Sequence, residues 1–375
     1  MRTLLLLLCG ATAALAHPSS PCMWDYDTLA QERQRFPSAL ELVTGKFLRH
    51  SEEFYAWRVE DRERRMREGD HTAELYDDLA VAHSKLGQDG RAIELMHEKE
   101  ARYPGLYETA ANLGTFYLHD GQFEQGIEHI ERALSINPEA HFGRERYQLY
   151  LAQYVLERRA QPDAPALPLY SSSGMHADPS QNYWGFVARQ AGVDPRRAYE
   201  HTEVVQAAVT GVLGMLRFGN HDSPVLLEVL SDLLLADWNS DAKLLATRAL
   251  LRAAESVDDP QLRAAYRSKA TDALSMQTPR PNTSRSMSLE ELEARLAPEL
   301  EEARAFAAEV RADELEWIEE GGDVDALFAE KYYREPTVGQ GLGAPGGSSR
   351  WPLIAALAGL GLVGVGLLRR RRAAA

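Results

Sequence analysis

The sequence predicts an all-α protein: a solenoid of helical hairpins, further helical pairs behind it, and one transmembrane helix near the carboxyl end. Three observations lead there. Apolar residues recur at helical spacing over most of the 375 residues, and no stretch alternates with a two-residue period for long enough to suggest a sheet. One segment matches its successor at a fixed offset of 34 residues, Leu79 with Leu113, Gly87 with Gly121 and Pro104 with Pro138. Trp351–Leu368 carries no charge and is followed by Arg369–Arg372.

Residues 1–16, with Arg2, the leucine run Leu4–Leu8 and the closing Ala14-Leu15-Ala16, predict a secretory signal peptide cleaved before His17. Cys9 leaves with it and Cys22 remains, which excludes an internal disulfide and a cysteine-built zinc site. An N-terminal extension occupies 17–38, and a repeat region 39–160. Its first part, Ser38–Arg49 and Ser51–Met66, reads as two helices, with Leu42, Phe47 and Leu48 in one and Phe54, Tyr55, Trp57 and Val59 in the other. They form a divergent unit that caps the stack. The best repeats are 73–106 and 107–140. In them Ala80 and Gly114 are small where the first helix must approach the second, and Ala92 also matches Gly126 at the same offset. Gly87 and Gly121 end the first helix in a left-handed cap. Pro104 and Pro138 stop the second. His141–Arg159, with Tyr147, Leu151, Tyr154 and Val155, reads as a closing helix.

With Leu113-Gly114, Tyr117, Gly121, Phe123, Ala133-Leu134 and Asn137-Pro138, the second copy resembles a tetratricopeptide repeat. The first departs at Ala80 and at Lys99, where a small residue is usual. The resemblance implies a concave groove that receives peptides. In the family's register its inward positions are Glu74, Asp77, Val81, Ser84 and Lys85, then Glu108, Ala111, Asn112, Thr115, Leu118 and His119, with Arg144 and Arg146 adding positive charge. Asn112 and Arg146 match positions that grip a peptide carboxylate in some members. Asp77 and Val81 stand where that clamp has Lys and Asn, and Asn112 serves either the groove or the packing between repeats.

Residues 161–182 read as a loop between two bodies. A second helical region, 183–277, has apolar faces in Val204–Leu216, Val225–Leu235, Ala242–Ala253 and Leu262–Leu274, with a turn at Asp237–Asp241. Ser288 and Glu291 form a capping box that opens an acidic helical region, 288–334. Pro298 breaks or kinks it, Gly321-Gly322 ends it, and a short helix over Ala326–Tyr333 follows. Residues 335–350 are a Gly/Pro/Ser linker. The span 351–368 is about 27 Å long as a helix, just enough for the hydrocarbon core. Trp351 suits the outer interface and the basic tail 369–375 the cytoplasm, which places the amino end outside. Gly346-Gly347-Ser348-Ser349, the apolar span and the arginines also resemble the carboxyl-terminal sorting signals of bacterial surface proteins, which are released by cleavage.

The net charge is -15, and removing Arg2 and Arg369–Arg372 leaves -20 for the outward-facing part. That excess argues against nucleic acid as a partner. His97-Glu98, His119-Asp120 and His129 lack metal-ligand spacing, Ser171–Gly174 lacks a nucleophile elbow, and no phosphate-cradling glycine loop precedes a helix. The sequence therefore points to no cofactor, no metal and no catalytic set. It predicts a membrane-anchored scaffold of the bacterial cell envelope that binds proteins or peptides. The competing reading is an envelope enzyme or accessory subunit with its site in 183–333.

Overall fold

The computed structural model describes residues 36–333, without 139–142, 162–164, 175–176, 238–239 and 277–286, together with Asp25, Asp27 and Gln31. The expected signal peptide, Cys22, the linker, the transmembrane span and the basic tail lie outside the described residues. Among the described residues every regular element is helical, and no helix is long and apolar enough to cross a membrane. They belong to one compact unit that ends at Tyr333.

Helix α1, Ala39–Thr44, starts at a Ser38–Glu41 capping box and stops at Gly45, whose φ is 83°. The helix expected over Ser38–Arg49 is thus cut short by a left-handed glycine. Helix α2, Glu52–Arg67, is capped by the Ser51 hydroxyl, which accepts from the Phe54 N–H. Two hairpins follow: α3 (Ala73–Lys85) with α4 (Asp89–Arg102), and α5 (Tyr107–His119) with α6 (Phe123–Ile136). All four boundaries of the second pair lie 34 residues beyond those of the first. Gly87 and Gly121 take φ of 73° and 78° at the turns, a conformation that strains any residue with a Cβ. Pro104 and Pro138 fall just after α4 and α6.

The small residues have the expected purpose. A Cβ on Gly114 would sit 2.6 Å from Ile130 Cγ1, and one on Gly126 2.6 Å from Leu118 Cδ2. Ala80 and Ala92 are fully buried in the first hairpin, in a core with Leu79, Leu95, Met96, Leu113 and Phe116, against which Tyr117 packs. Ala133 is buried in a smaller cluster with Tyr107, Ala110 and Ala111. Gly114→Ala is expected to force α5 and α6 apart and to cost about 1–3 kcal/mol, read as a lower urea midpoint. An unchanged midpoint would mean that the two helices do not cross there.

Helix α7, Arg144–Arg159, packs on α6 at the end of the two hairpins and also joins the rest of the fold. Its Leu151, Tyr154 and Val155 enter a second, larger core shared with α8 (Tyr183–Ala191), a 3₁₀ turn (Pro195–Glu200), α9 (Thr202–Phe218), α10 (Pro224–Ala236), α11 (Ser240–Glu255), α12 (Pro260–Ser275) and the start of α13 (Leu289–Glu319). Helix α13 runs without interruption through Pro298, against the expected break. Pro298 and Ala294, whose carbonyl loses its donor, are both exposed, so water replaces the missing bond. Helix α14, Val324–Tyr332, begins at Asp323, whose carboxylate accepts from the Ala326 N–H.

The segment expected as a loop between two bodies is packed into this unit. Glu228, fully buried, accepts from the Leu169 and Tyr170 N–H groups at 2.9 and 3.0 Å, from the Tyr266 hydroxyl at 3.0 Å and from Lys269 at 2.7 Å. A buried carboxylate thus supplies acceptors that water would give an exposed loop. Helix α13 returns to lie against α1 and α2, and α1 touches α9 and α11.

Candidate functional site

The positions that the repeat register assigns to a groove do not share one environment. Glu74 and Arg146 are exposed, and Glu108 is half-buried. Asp77 and Asn112 are buried and bonded to each other: the Asn112 amide donates to Asp77 Oδ1 at 3.0 Å, and Lys99 donates to Oδ2 at 2.6 Å. Lys99 is 1% exposed. Asp77 is therefore the countercharge of a buried lysine, and Asn112 packs one repeat on the next. Burial pushes the Asp77 carboxyl up to about 7, and Lys99 pulls the other way. Thr115 is buried as well, donating to the Ala111 carbonyl at 3.1 Å and accepting from the Gln148 amide at 3.1 Å. His119 is exposed beside Asp89, with Nδ1 3.6 Å from its carboxylate.

Lys85 and Arg144 are occupied by the chain's own helix α9. The Lys85 ammonium donates to the carbonyls of Phe218 and Gly219 at 2.8 and 2.7 Å, at the end where the helix dipole is negative. Burial draws its pKa down to about 8. The Arg144 guanidinium lies 4.6 Å from the centre of the Phe218 ring. Gly214 and Gly211 make the fit possible: a Cβ at either would sit 2.6 Å from Arg144 Cδ or 2.5 Å from Tyr147 Cδ2. The structure thus brings Lys85 and Arg144 together on an internal ligand. Arg146, expected beside Arg144, points away from that seat into solvent, because two steps along a helix turn the side chain by about 200°.

An open cleft lies elsewhere, between α2, the start of α3 and the turn that opens α14. It measures ≈ 680 Å³ and is lined by Trp57, Asp61, Arg62, Arg64, Arg65, Thr72, Glu74, Leu75, Asp78, Gly321, Gly322, Asp323, Asp325 and Ala326. Of the sequence-predicted residues only Glu74 reaches it. Arg64 and Arg65 form its exposed rim, with side chains 54% and 40% exposed, paired to Asp61 and Asp70 respectively. Its floor is rigid. Arg62 is 3% exposed, donates to Asp78 at 3.0 Å and to Asp61 at 2.7 Å, and also bonds Asp325. Burial would lower the Arg62 pKa, but Asp325 and Asp78 outweigh it and hold it above the ordinary range.

Behind the floor lies a layer that sequence reasoning missed. Arg58, fully buried, donates to Asp27 and Asp325 at 2.6 Å each and to Asp25 at 3.1 Å, with its guanidinium 4.4 Å from the centre of the Phe54 ring. Phe54, Arg58 and Arg62 are spaced by four on one face of α2. That spacing was the available signal: two arginines in line with a core aromatic point inward, and inward charges need carboxylates. Chemically, the arrangement is a wall of fixed charges around a cleft with an apolar patch at Trp57 and Leu75. It suits recognition of a polypeptide through side-chain ion pairs. No protein-family model matches the chain, and no curated protein matches it in sequence.

Proposed function

We propose that the chain is a tetratricopeptide-repeat scaffold of the bacterial cell envelope, anchored by the apolar segment 351–368, with its body outside the cytoplasm. It binds protein or peptide partners without catalysing a reaction. The observation that carries this reading is the open cleft of ≈ 680 Å³ beside the first hairpin, with its partly exposed arginines and its fixed ionic floor. The 34-residue spacing of both hairpins and the Gly114–Ile130 and Gly126–Leu118 approaches support the repeat assignment. The seat at Lys85 and Arg144 is taken by α9, which favours the cleft over the groove as the docking surface.

Crosslinking capture with the full chain tests the reading. The double variant Arg64→Glu, Arg65→Glu is expected to lose most of a partner that the unaltered chain recovers from envelope extract. Arg146→Glu, an exposed change away from the cleft, is expected to keep it. Equal capture by all three chains would move the docking surface off the cleft.

A further inference from the structure

His50, in the connection between α1 and α2, is enclosed by parts of the chain far apart in sequence. Its Nε2 lies 3.0 Å from Asp27 Oδ2 in the N-terminal segment, and its Nδ1 lies 2.7 Å from Glu314 Oε1 on α13. The ring stacks on Phe54 of α2 at 3.6 Å between centroids and tilts against Phe328 of α14 at 4.0 Å. A neutral imidazole has one N–H and satisfies one of the two carboxylates, leaving a lone pair aimed at the other. An imidazolium donates to both.

The charges around it favour the imidazolium. Asp25 and Asp27 of the N-terminal segment, Asp78 of α3, Glu314 of α13 and Asp325 of α14 share the buried cluster with Arg58 and Arg62 of α2, so acids outnumber arginines. Tyr55 packs edge-on to the ring at 5.8 Å, and the Tyr333 hydroxyl accepts from the Gln31 amide. Burial holds both phenols well above their ordinary range, so they add no charge. Burial also opposes a proton on His50, and Arg58 repels it. Asp27 and Glu314 outweigh both and raise its pKa above the ordinary value.

We propose that His50 is a proton-operated clasp on the cleft: with its proton it ties the N-terminal segment and the α13–α14 end to α2, and without it the α14 wall loosens. The wall in question carries Gly321, Gly322, Asp323, Asp325 and Ala326. What the cleft binds rests on the docking reading above; the clasp itself does not. A histidine whose folded pKa is raised stabilises fully below its unfolded value of about 6.5, and the contribution is lost as pH rises to the folded value.

Hydrogen–deuterium exchange on the full chain between pH 6 and 9, corrected for intrinsic exchange, tests the clasp without any partner. Protection of residues 310–332 is expected to fall by up to about tenfold per pH unit above about 6.5. His50→Gln is expected to show weaker protection of 310–332 with no slope. A level profile in the unaltered chain, or the same slope in His50→Gln, overturns the proposal. NMR titration of the His50 ring in the unaltered chain decides the matter even if the variant does not fold: a midpoint at or below about 6.5 also overturns it. Lost cleft dependence in partner capture strikes the docking reading alone, and a level exchange profile strikes the clasp alone.

Discussion

Arg58→Ala is expected to lower the unfolding free energy by about 3–5 kcal/mol, because it leaves buried carboxylates without their cation. Asp27 and Asp325 each lose a 2.6 Å partner, Asp25 loses one at 3.1 Å, and the Phe54 ring loses the guanidinium stacked on it. In the intact chain the Arg58 cation, helped by His50, outweighs burial and holds the Asp27 carboxyl far below its usual range. Without the cation, burial wins and the carboxylates favour protonation. The deficit of the variant should therefore shrink as pH falls toward 4, where they take up protons. Guanidinium unfolding followed by circular dichroism at pH 7 and pH 4.5 measures both effects. A loss below about 1 kcal/mol at pH 7 would mean that these carboxylates reach water. Arg58→Lys is expected to recover part of the loss only, since an ammonium cannot span three carboxylates as a planar fork does.

Lys269→Met is expected to cost a similar amount, about 3–5 kcal/mol, at a second buried ion pair. Lys269 and Glu228 are both fully buried and 2.7 Å apart, and Lys269 also donates to the Tyr170 carbonyl at 2.6 Å. Methionine keeps most of the volume but leaves Glu228 and Asp232 facing each other. Burial already pushes Asp232 up to about 6, against the opposing pull of Lys269. A carboxyl with a raised folded pKa costs stability once it is ionised, fully above that value, and the cost is relieved as pH falls toward its unfolded range. The variant should thus regain stability between pH 7 and pH 5. Its strap at Leu169–Tyr170, whose N–H groups depend on Glu228, should also be cut earlier in limited proteolysis. A strap as resistant as in the unaltered chain would show that Glu228 holds it without Lys269.

The helices were legible because their signals are local. Apolar spacing marked α2 to α7 and α9 to α12, the Ser288–Glu291 box marked the start of α13, and the 34-residue offset marked the two hairpins with their glycine turns and proline stops. Local rules failed where burial or exposure outside the segment decided. Gly45 ended α1 early, Pro298 was carried inside a helix with its orphaned carbonyl in water, and the segment after α7 was drawn into the core by Glu228. Asp77, Asn112, Lys85 and Arg144, read as groove positions, met partners within the chain for a related reason. A register names the positions that face inward, but it does not say what fills the space they face.

By itself the sequence determined that the described part is helical and that two hairpins repeat with small residues at their crossings, since periodicity and glycine positions act within a few turns. It also marked the ends as an expected leader and an expected anchor from composition alone. Only the tertiary structure decided that α9 sits on Lys85 and Arg144, that Asp77 answers Lys99, and that Asp27, Glu314 and Asp325 converge on His50, Arg58 and Arg62. The physical reason is common to all three. A buried charge must find a countercharge, a carbonyl or an aromatic face wherever the chain brings one, and those partners lie 22 to 267 residues away, beyond the reach of any helical period.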